Sequence, residues 1–356
     1  MKSANFVNYT DMIQTAKWAF STRRVAQDNA VSLQHDVQNA TPGDLVLGRI
    51  HQIGSHKRVQ LRDGRPSELY QDDLIVAACG ARYASDQFEG TAKIDAHSTD
   101  LLAGGGCLGK MRLRNGKMKY PTRVIPIGLV SDAKGSVLNL DQYALLPTIR
   151  PQKLAAIGVV GAAMNSGKTD AAASLIHGLR LAGYRVAALK ATGTGAYGDY
   201  NAYVDAGAYF TADFTDAGMV STYQQPLPRI EQAIDTLLGT AGIRGCNIAV
   251  VEFADGVLQQ ETAALLRNPH VRKAFNGFLY AAPDSLAALG GHHALAQIGI
   301  KPLALTGLIT QSPLNVREAE AATGLPIIPR EQLRDPAQAS SLANCSPNSL
   351  PEQLVV

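Results

Sequence analysis

The chain has 356 residues, of which 46% are hydrophobic and 18% charged, and its formal net charge is +3. A chain of this length can bury two separate cores. The small net charge and the lack of a lysine- and arginine-rich run argue against a nucleic-acid partner. No stretch of about 18 apolar residues occurs, and the N-terminal residues lack an apolar signal core. We therefore expect a cytoplasmic protein without a membrane segment.

Four cysteines are scattered along the chain, with no Cys-x-x-Cys spacing: Cys79, Cys107, Cys246 and Cys345. Such spacing fits a reducing compartment better than a disulfide framework. It also gives no zinc-binding motif.

The first 150 residues predict a smaller β-rich domain with a helical lead-in. Apolar spacing indicates a helix over Asp11–Phe20. From about Asp44 to Leu140, short apolar or alternating runs are separated by turn residues, which is typical of a small β-barrel or β-rich domain. The strand candidates are Leu45–Ile50, Arg58–Leu61, Leu74–Cys79 and Thr122–Val130, the last broken by Pro126.

Two glycine-bearing stretches in this domain, Gly80–Gly90 and Leu101–Gly109, allow two interpretations. They are either two long loops or a surface for a substrate or partner. The second interpretation follows because glycine lets the backbone approach a ligand closely.

Beyond Pro151 the pattern changes to alternating strands and helices. This predicts an α/β domain over residues 151–335, with a mainly parallel sheet covered by helices on both faces, followed by a polar tail over 336–356. The strand candidates are Ile157–Val160, Arg185–Leu189, Asn247–Val251, Gly277–Ala281 and Pro302–Ile309. The helix candidates include Asp170–Ala182, Arg229–Thr240, Leu258–Leu266 and Ser285–Ile298.

A phosphate-binding loop, or P-loop, is predicted where the first of these strands meets its helix. The segment Ala162-x4-Gly167-Lys168-Thr169 fits the motif, with alanine at the usual first glycine. In such a loop the backbone N–H groups face a polyphosphate, the lysine reaches the β- and γ-phosphates, and the threonine hydroxyl helps hold Mg²⁺. The candidate nucleotide-binding residues are Gly161, Asn165, Ser166, Gly167, Lys168 and Thr169.

The second strand of this domain ends at Lys190, which is followed by a Thr-Gly-Thr-Gly segment. Ligands of open parallel sheets bind at the carboxyl ends of the strands. We therefore expect Lys190 to counter phosphate or carboxylate charge. Thr192 and Thr194 are expected to hydrogen-bond phosphate oxygens.

An acidic stretch with four tyrosines follows, from Tyr197 to Gly218. Carboxylates near a nucleotide can bind Mg²⁺, act as general bases or receive an amine. Asp199 and Asp216 stand beside glycines and are the preferred candidates. Asp205 and Asp213 could equally cap the segments that follow them.

The third strand is apolar until Glu252, and Asp255 follows three residues later. An acidic residue at the end of a buried strand is expected to order Mg²⁺ and its waters in a P-loop protein. Glu252 is the first candidate for this role and Asp255 the second.

These segments together resemble the dethiobiotin synthetase and cobyrinic acid a,c-diamide synthase group of P-loop proteins. The resemblance lies in Gly161–Thr169, in Lys190 with its Thr-Gly, and in Val251–Gly256. It implies that Lys168 and Thr169 bind triphosphate and Mg²⁺, that Lys190 binds phosphate or substrate, and that Glu252 binds Mg²⁺. The chain departs from the group at Phe253 and Asp255, where the group has glycines. Thr310–Gln311 replaces a common asparagine base contact, which leaves the base preference open.

The stretch from Lys190 to Tyr223 is also similar to a poorly characterised P-loop family that includes D-glutamate N-acetyltransferases. The two resemblances together cover roughly Ile157–Pro329.

Three functions follow as hypotheses. The leading one is an ATP- and Mg²⁺-dependent ligase or kinase that activates a small carboxylate or carbamate for attack by an amine or another nucleophile. The second is acyl transfer from coenzyme A to an amino acid, and the third is a nucleotide switch or cofactor-delivery protein. By analogy with other sheets of this type, the chain is expected to form a homodimer.

Overall fold

A computed structural model describes residues 9–149 and 154–344 and divides the chain into two compact units. The β-rich unit comprises Met1–Leu145 together with Thr194–Tyr197 and Phe214–Gln224. The parallel-sheet unit comprises Leu146–Gly193, Gly198–Asp213 and Gln225–Val356. The sequence-based boundary at residue 150 lies close to Leu145. The two short segments that the β-rich unit takes from the second half of the chain have no local sequence signal.

The β-rich unit is built on a sheet that closes on itself. Its central strands pair in the order β6-β3-β10-β8-β9, and β9 pairs in turn with β6. The elements are α1 (Tyr9–Thr15), β1 (Lys17–Trp18), β2 (Ser32–Gln34), β3 (Leu45–Gln52), β4 (Arg58–Gln60), β5 (Pro66–Glu68), β6 (Leu74–Cys79), β7 (Phe88–Thr91), β8 (Thr99–Ala103), β9 (Cys107–Arg114) and β10 (Thr122–Ser131).

The side chains of these strands point alternately to two faces of the sheet and contribute to two clusters of buried residues. Leu45 and Leu47 of β3 belong to one cluster of buried residues, whereas Val46 belongs to the other. Neighbouring residues of a strand point to opposite faces of the sheet, so both faces of β3 are covered. Cys79 and Cys107 are buried in different clusters and are free thiols.

Three local expectations for this unit need correction. The predicted helix over Asp11–Phe20 ends at Thr15, because Lys17–Trp18 pairs with β6 and the indole N–H of Trp18 donates to Ile13 O. Strand β10 continues past Pro126, with a register irregularity after the proline that accommodates its missing N–H. Leu101–Gly109 is not a long loop, because β8 and β9 pair as a tight hairpin around Gly104–Gly106.

The parallel-sheet unit has the predicted α/β architecture. Its elements are β11 (Ala155–Gly161), α2 (Lys168–Leu181), β12 (Val186–Lys190), α3 (Tyr197–Asp205), β13 (Phe210–Asp213), α4 (Leu227–Ile243), β14 (Ile248–Glu252), α5 (Gln260–Arg267), α6 (Pro269–Lys273), β15 (Gly277–Ala281), α7 (Ser285–Ala296), β16 (Ala304–Thr306), α8 (Pro313–Thr323), α9 (Arg330–Leu333) and α10 (Pro336–Ala343).

The six strands of this unit are all parallel and follow the order β13-β12-β14-β11-β15-β16. Every residue of β14 is buried, so helices cover both faces of the sheet. On one face, Leu175 and Leu179 of α2 pack against Ile157 and Val159 of β11 in a common core. The predicted fold class, a parallel α/β sheet beside a separate β-rich region, is confirmed.

Part of the predicted polar tail is packed on this core. Helix α10 buries Ala339 and Leu342 in the same apolar cluster as α2. Asp335 caps its N-terminus by accepting from Gln338 N. The polar composition concealed this short amphipathic helix. Residues 345–356, including Cys345, lie outside the described part of the chain.

No helix within the described ranges combines the length and the apolarity that a membrane span requires.

Candidate functional site

Three neighbouring strands of the parallel sheet end on charged residues at the same level. In the strand register, Lys190 of β12 stands opposite Asp213 of β13 on one side and Glu252 of β14 on the other. None of these three strands carries a charged residue before this level, so the charges collect at the carboxyl edge of the sheet. This is the edge at which open parallel sheets bind ligands.

The loop that carries the predicted P-loop motif connects β11 to α2. Gly167 is the N-cap residue of α2 and has φ +94°, and Asn165 has φ +60°. A side chain at Gly161 would come within 2.5 Å of Ser166 Oγ. Glycine therefore lets the loop fold back on the end of its own strand.

Two main-chain segments hold the loop from outside. A Cβ at Gly256 would lie 2.2 Å from Ala162 O, and one at Gly307 would lie 2.3 Å from Ser166 O. Leu308 N also donates to Ser166 O at 3.1 Å. The loop is thus fixed by backbone contacts that tolerate no larger residue at Gly256 or Gly307.

The Lys168 side chain curls back over the loop. Its Nζ donates to Ala163 O at 2.7 Å and to Asp255 O at 2.5 Å. Burial lowers the pKa of Lys168, although the negative charge of Glu252 opposes this effect. The ammonium is therefore held by two neutral carbonyl groups, one from the loop and one from the turn after β14.

A continuous polar network runs from the start of α2 to the end of β14. Thr169 Oγ1 donates to Asp199 Oδ1 at 2.9 Å, and the other oxygen of Asp199 accepts from Lys190 Nζ. Lys190 Nζ also lies 3.5 Å from Glu252 Oε1. The structure thus brings together Lys168, Thr169, Lys190, Asp199 and Glu252, which the sequence pointed to separately.

The network fixes the charge state of its members. Burial disfavours the ammonium of Lys190, but the carboxylates of Asp199 and Glu252 outweigh it and raise the pKa of Lys190. Burial alone would raise the pKa of Asp199, yet Lys190 and the hydrogen bond from Thr169 lower it. Both partners are consequently charged at neutral pH.

Two members of the site were not predicted with these roles. Tyr203 is fully buried and its hydroxyl donates to Glu252 Oε2 at 2.5 Å; burial raises its pKa, so the phenol stays protonated. Asp213, which the sequence left as a possible cap, stands beside Lys190 at the end of β13. A charged residue closing a short apolar strand, as at Lys190 and Glu252, is the signal that could have identified Asp213.

The remaining predicted residues lie in different places. Thr192 Oγ1 accepts from Ala254 N and so supports the turn after β14. The main-chain oxygen of Asp255 accepts from Lys168, and its backbone has φ +61°. Thr194 and Asp216 belong to the β-rich unit, where Asp216 pairs with Arg23 at 2.5 Å. The site roles of these four residues stay predictions.

The residues of the loop fit a polyphosphate with Mg²⁺. Ser166 Oγ is buried and has no hydrogen-bond partner within the described residues, so it is available for a ligand oxygen. The Thr169 hydroxyl donates a hydrogen bond to Asp199, which leaves its oxygen lone pairs for a cation. Across residues 9–149 and 154–344, no cluster of three or more His, Cys, Asp or Glu could hold a metal by itself. Magnesium bound with phosphate needs only one or two protein ligands.

Neither a protein family profile nor a curated protein matches the chain. Among solved structures, it is similar to the signal recognition particle 54 kDa protein of Aeropyrum pernix K1 in complex with GDP, at 20% identity and a TM-score of 0.37. That match covers 56% of this chain and 47% of the other, so the chain spans about half of that relative's length.

Two further solved structures are similar to the chain at comparably low identity and TM-score. The signal recognition particle receptor FtsY of Elizabethkingia anophelis shows 16% identity and a TM-score of 0.35, covering 51% of this chain and 59% of that one. The kinase domain of the Escherichia coli tyrosine kinase ETK shows 18% identity and a TM-score of 0.33, covering 45% and 70%.

Proposed function

We propose that the parallel-sheet unit binds a nucleoside triphosphate with Mg²⁺ and transfers its γ-phosphoryl group to a small carboxylate or carbamate. The observation that supports this most directly is the meeting of Lys168, the unpartnered Ser166 hydroxyl and the Thr169–Asp199–Lys190–Glu252 network at one sheet edge. The resemblance to the dethiobiotin synthetase group supports ATP as the nucleotide and a small acid or amine as the substrate.

Lys168 is suited to exchange its partners for phosphate. Its ammonium is bound to two carbonyl oxygens, which carry only partial negative charge. Phosphate oxygens bind an ammonium more strongly, because the hydrogen bond is then charge-assisted on both sides. In this exchange the protein loses only these two hydrogen bonds of Lys168.

Thr169 and Glu252 would hold the Mg²⁺ ion, which supplies positive charge to the phosphates and to the leaving group. Asp199 orients the Thr169 hydroxyl by accepting a hydrogen bond from it. Tyr203 fixes Oε2 of Glu252 by donating a hydrogen bond to it, so Glu252 would help to hold the ion through Oε1, which lies beside Lys190.

The proposed chemistry is an in-line displacement. A carboxylate oxygen of the substrate forms a bond to the γ-phosphorus, while the bond from that phosphorus to the β,γ-bridging oxygen breaks and the nucleoside diphosphate leaves. An amine nitrogen then bonds to the activated carbonyl carbon, phosphate departs and the amine loses a proton to a base. Lys190 stabilises the negative charge that moves to the phosphate oxygens.

Phosphate release tests this proposal. Wild type is incubated with ATP, Mg²⁺ and a panel of small carboxylic acids and amines, and compared with Lys168→Ala and with Lys273→Ala, an exposed lysine of the same unit. We expect substrate-dependent release that Lys168→Ala abolishes and Lys273→Ala retains. Strong release without substrate, or preferential use of acetyl-CoA without Mg²⁺, would contradict it.

A further inference from the structure

A cavity of about 180 Å³ lies in the parallel-sheet unit, at the amino edge of its sheet. Its lining comes from α6 and the turn after it, from the first residues of β15, and from residues 299–301 ahead of β16. The candidate nucleotide residues stand at the carboxyl ends of β11, β12 and β14 or follow them. The cavity therefore lies at the opposite edge of the sheet from the candidate nucleotide site.

Apolar residues form one wall of the cavity, namely Phe275, Phe278 and Ile300. The rings of Phe275 and Phe278 have their centroids 5.2 Å apart. Gly158 of the neighbouring strand leaves room for Phe278, because a Cβ at Gly158 would come within 2.4 Å of that ring. Apolar cavities of about 150 Å³ admit a benzene ring. The volume and this wall therefore suit one aromatic ring.

Arg272 brings a guanidinium group to the same cavity. Its Nη1 donates to Ile298 O, which tethers the group. Arg272 makes no ion pair within residues 9–149 and 154–344. Arginine has five N–H donors in a planar fork that matches the two oxygens of a carboxylate. The tether through one nitrogen therefore leaves the other donors of the fork for a ligand.

Asn276 adds a donor whose position is fixed by the backbone of β11. Its Oδ1 accepts from Ala156 N at 2.9 Å, and its main-chain N donates to Ala156 O at 2.8 Å. The side-chain NH₂ of Asn276 makes no hydrogen bond in the part of the chain that the structure describes. Because Asn276 lines the cavity, this NH₂ group is available to an acceptor on a ligand.

The charge around the cavity is of one sign. No acidic residue lines it, and Lys301 adds an exposed ammonium without an ion pair in the described ranges. The carboxylates of α4 that reach α6 are already bound. Glu231 accepts from Asn268 at 2.6 Å, and Asp235 pairs with His270 at 2.9 Å. An anionic ligand therefore meets positive charge that no neighbouring carboxylate cancels.

We propose that this cavity binds a small aromatic carboxylate, with its ring against Phe275 and Phe278 and its carboxylate on Arg272 and Asn276. An apolar wall beside a few fixed polar groups is the usual composition of a small-molecule site, and charged donors select an anion. The site shares no residue with the P-loop or with the Thr169–Asp199–Lys190–Glu252 network. It therefore stands independently of the proposed nucleotide function.

Ligand-observed NMR titration of the full chain with benzoate tests the site, with the neutral benzamide and the ring-free acetate as matched probes. We expect benzoate to bind at least about tenfold more tightly than either, because benzamide lacks the charge and acetate lacks the apolar surface. No binding of benzoate, or equal binding of benzamide, would overturn the proposal.

Two variants locate the carboxylate. Asn276→Asp keeps the oxygen that accepts from Ala156 N but replaces the NH₂ donor by a negatively charged oxygen, and Arg272→Lys keeps the charge but removes the fork. Each should weaken benzoate binding about tenfold or more, whereas Arg317→Met, at an exposed arginine of α8, should not. Thermal unfolding establishes that each variant is folded. Undiminished benzoate binding by the folded variants would overturn the proposal.

The P-loop variant Lys168→Ala separates this site from the nucleotide site. It should bind benzoate with the affinity of wild type, because the cavity contains no part of the P-loop. Loss of benzoate binding in Lys168→Ala would place benzoate at the P-loop and overturn the proposal.

Discussion

In the parallel-sheet unit, Lys190 lies between the carboxylates of Asp199 and Glu252, whereas in the β-rich unit the partly buried His56 lies near the positive charge of Arg82. The first base is held charged and the second is held neutral. The contrast follows from topology, because parallel strands end together and collect charges at one edge, while a closed sheet surrounds its buried groups with backbone. Lowering the pH and removing a charged side chain should therefore change the stability of the two units differently.

Loss of Lys190 should have the largest effect on stability. Lys190→Met leaves Asp199 and Glu252 without their cation, and removing one partner of a buried ion pair costs about 3–5 kcal/mol. Lys168→Met removes an ammonium bound only to carbonyl oxygens and should cost within about 1 kcal/mol. Denaturant unfolding followed by helical circular dichroism reports mainly on the parallel-sheet unit. An equal loss of unfolding free energy in Lys190→Met and Lys168→Met would contradict this account of the two lysines.

Acid should destabilise the β-rich unit through His56. The unfolded state takes up a proton near pH 6.5, whereas the folded state does so only near pH 4. The stability contributed by neutral His56 is thus complete above pH 6.5 and is lost as the pH falls towards 4, by roughly 3 kcal/mol at most.

The fluorescence of Trp18, the single tryptophan of the chain, follows the unfolding of this unit. We expect His56→Asn to remove this part of the pH dependence and the exposed His51→Asn to retain it. If stability depended on pH equally in both variants, groups other than His56 would be responsible for the acid sensitivity.

A smaller effect is expected at Tyr203. Tyr203→Phe deletes the hydrogen bond to the buried carboxylate of Glu252, at a cost of about 2 kcal/mol in the parallel-sheet unit. Tyr209 is 59% exposed, so Tyr209→Phe serves as the matched control with no expected change. Identical unfolding of Tyr203→Phe and wild type would show that Glu252 needs no support from the phenol.

The sequence predicted most of the parallel-sheet unit because its signals are local. Apolar runs predicted β14 and β15 to within one residue and β11 to within two, and the predicted helix after the Gly-Lys-Thr motif starts two residues after the observed start of α2. The pairing of β6 with β9, and the transfer of residues 194–197 to the β-rich unit, depend on contacts between distant residues. Periodicity carries no information about such contacts.

The candidate site shows the same division. Lys168, Thr169, Lys190 and Glu252 follow from strand ends and motif spacing. The hydrogen bond from Tyr203 to Glu252 joins residues 49 positions apart and depends on the order of β12 and β14 in the sheet.

The most direct test of the nucleotide site is calorimetric titration with ATP and Mg²⁺ of wild type and Lys168→Ala. We predict Mg²⁺-dependent binding to wild type that is weakened about 100-fold or more in the variant, because the charge-assisted contacts to phosphate are lost. Equal affinity of the two proteins, or no binding to wild type, would contradict the assignment of the loop between β11 and α2 as a nucleotide site.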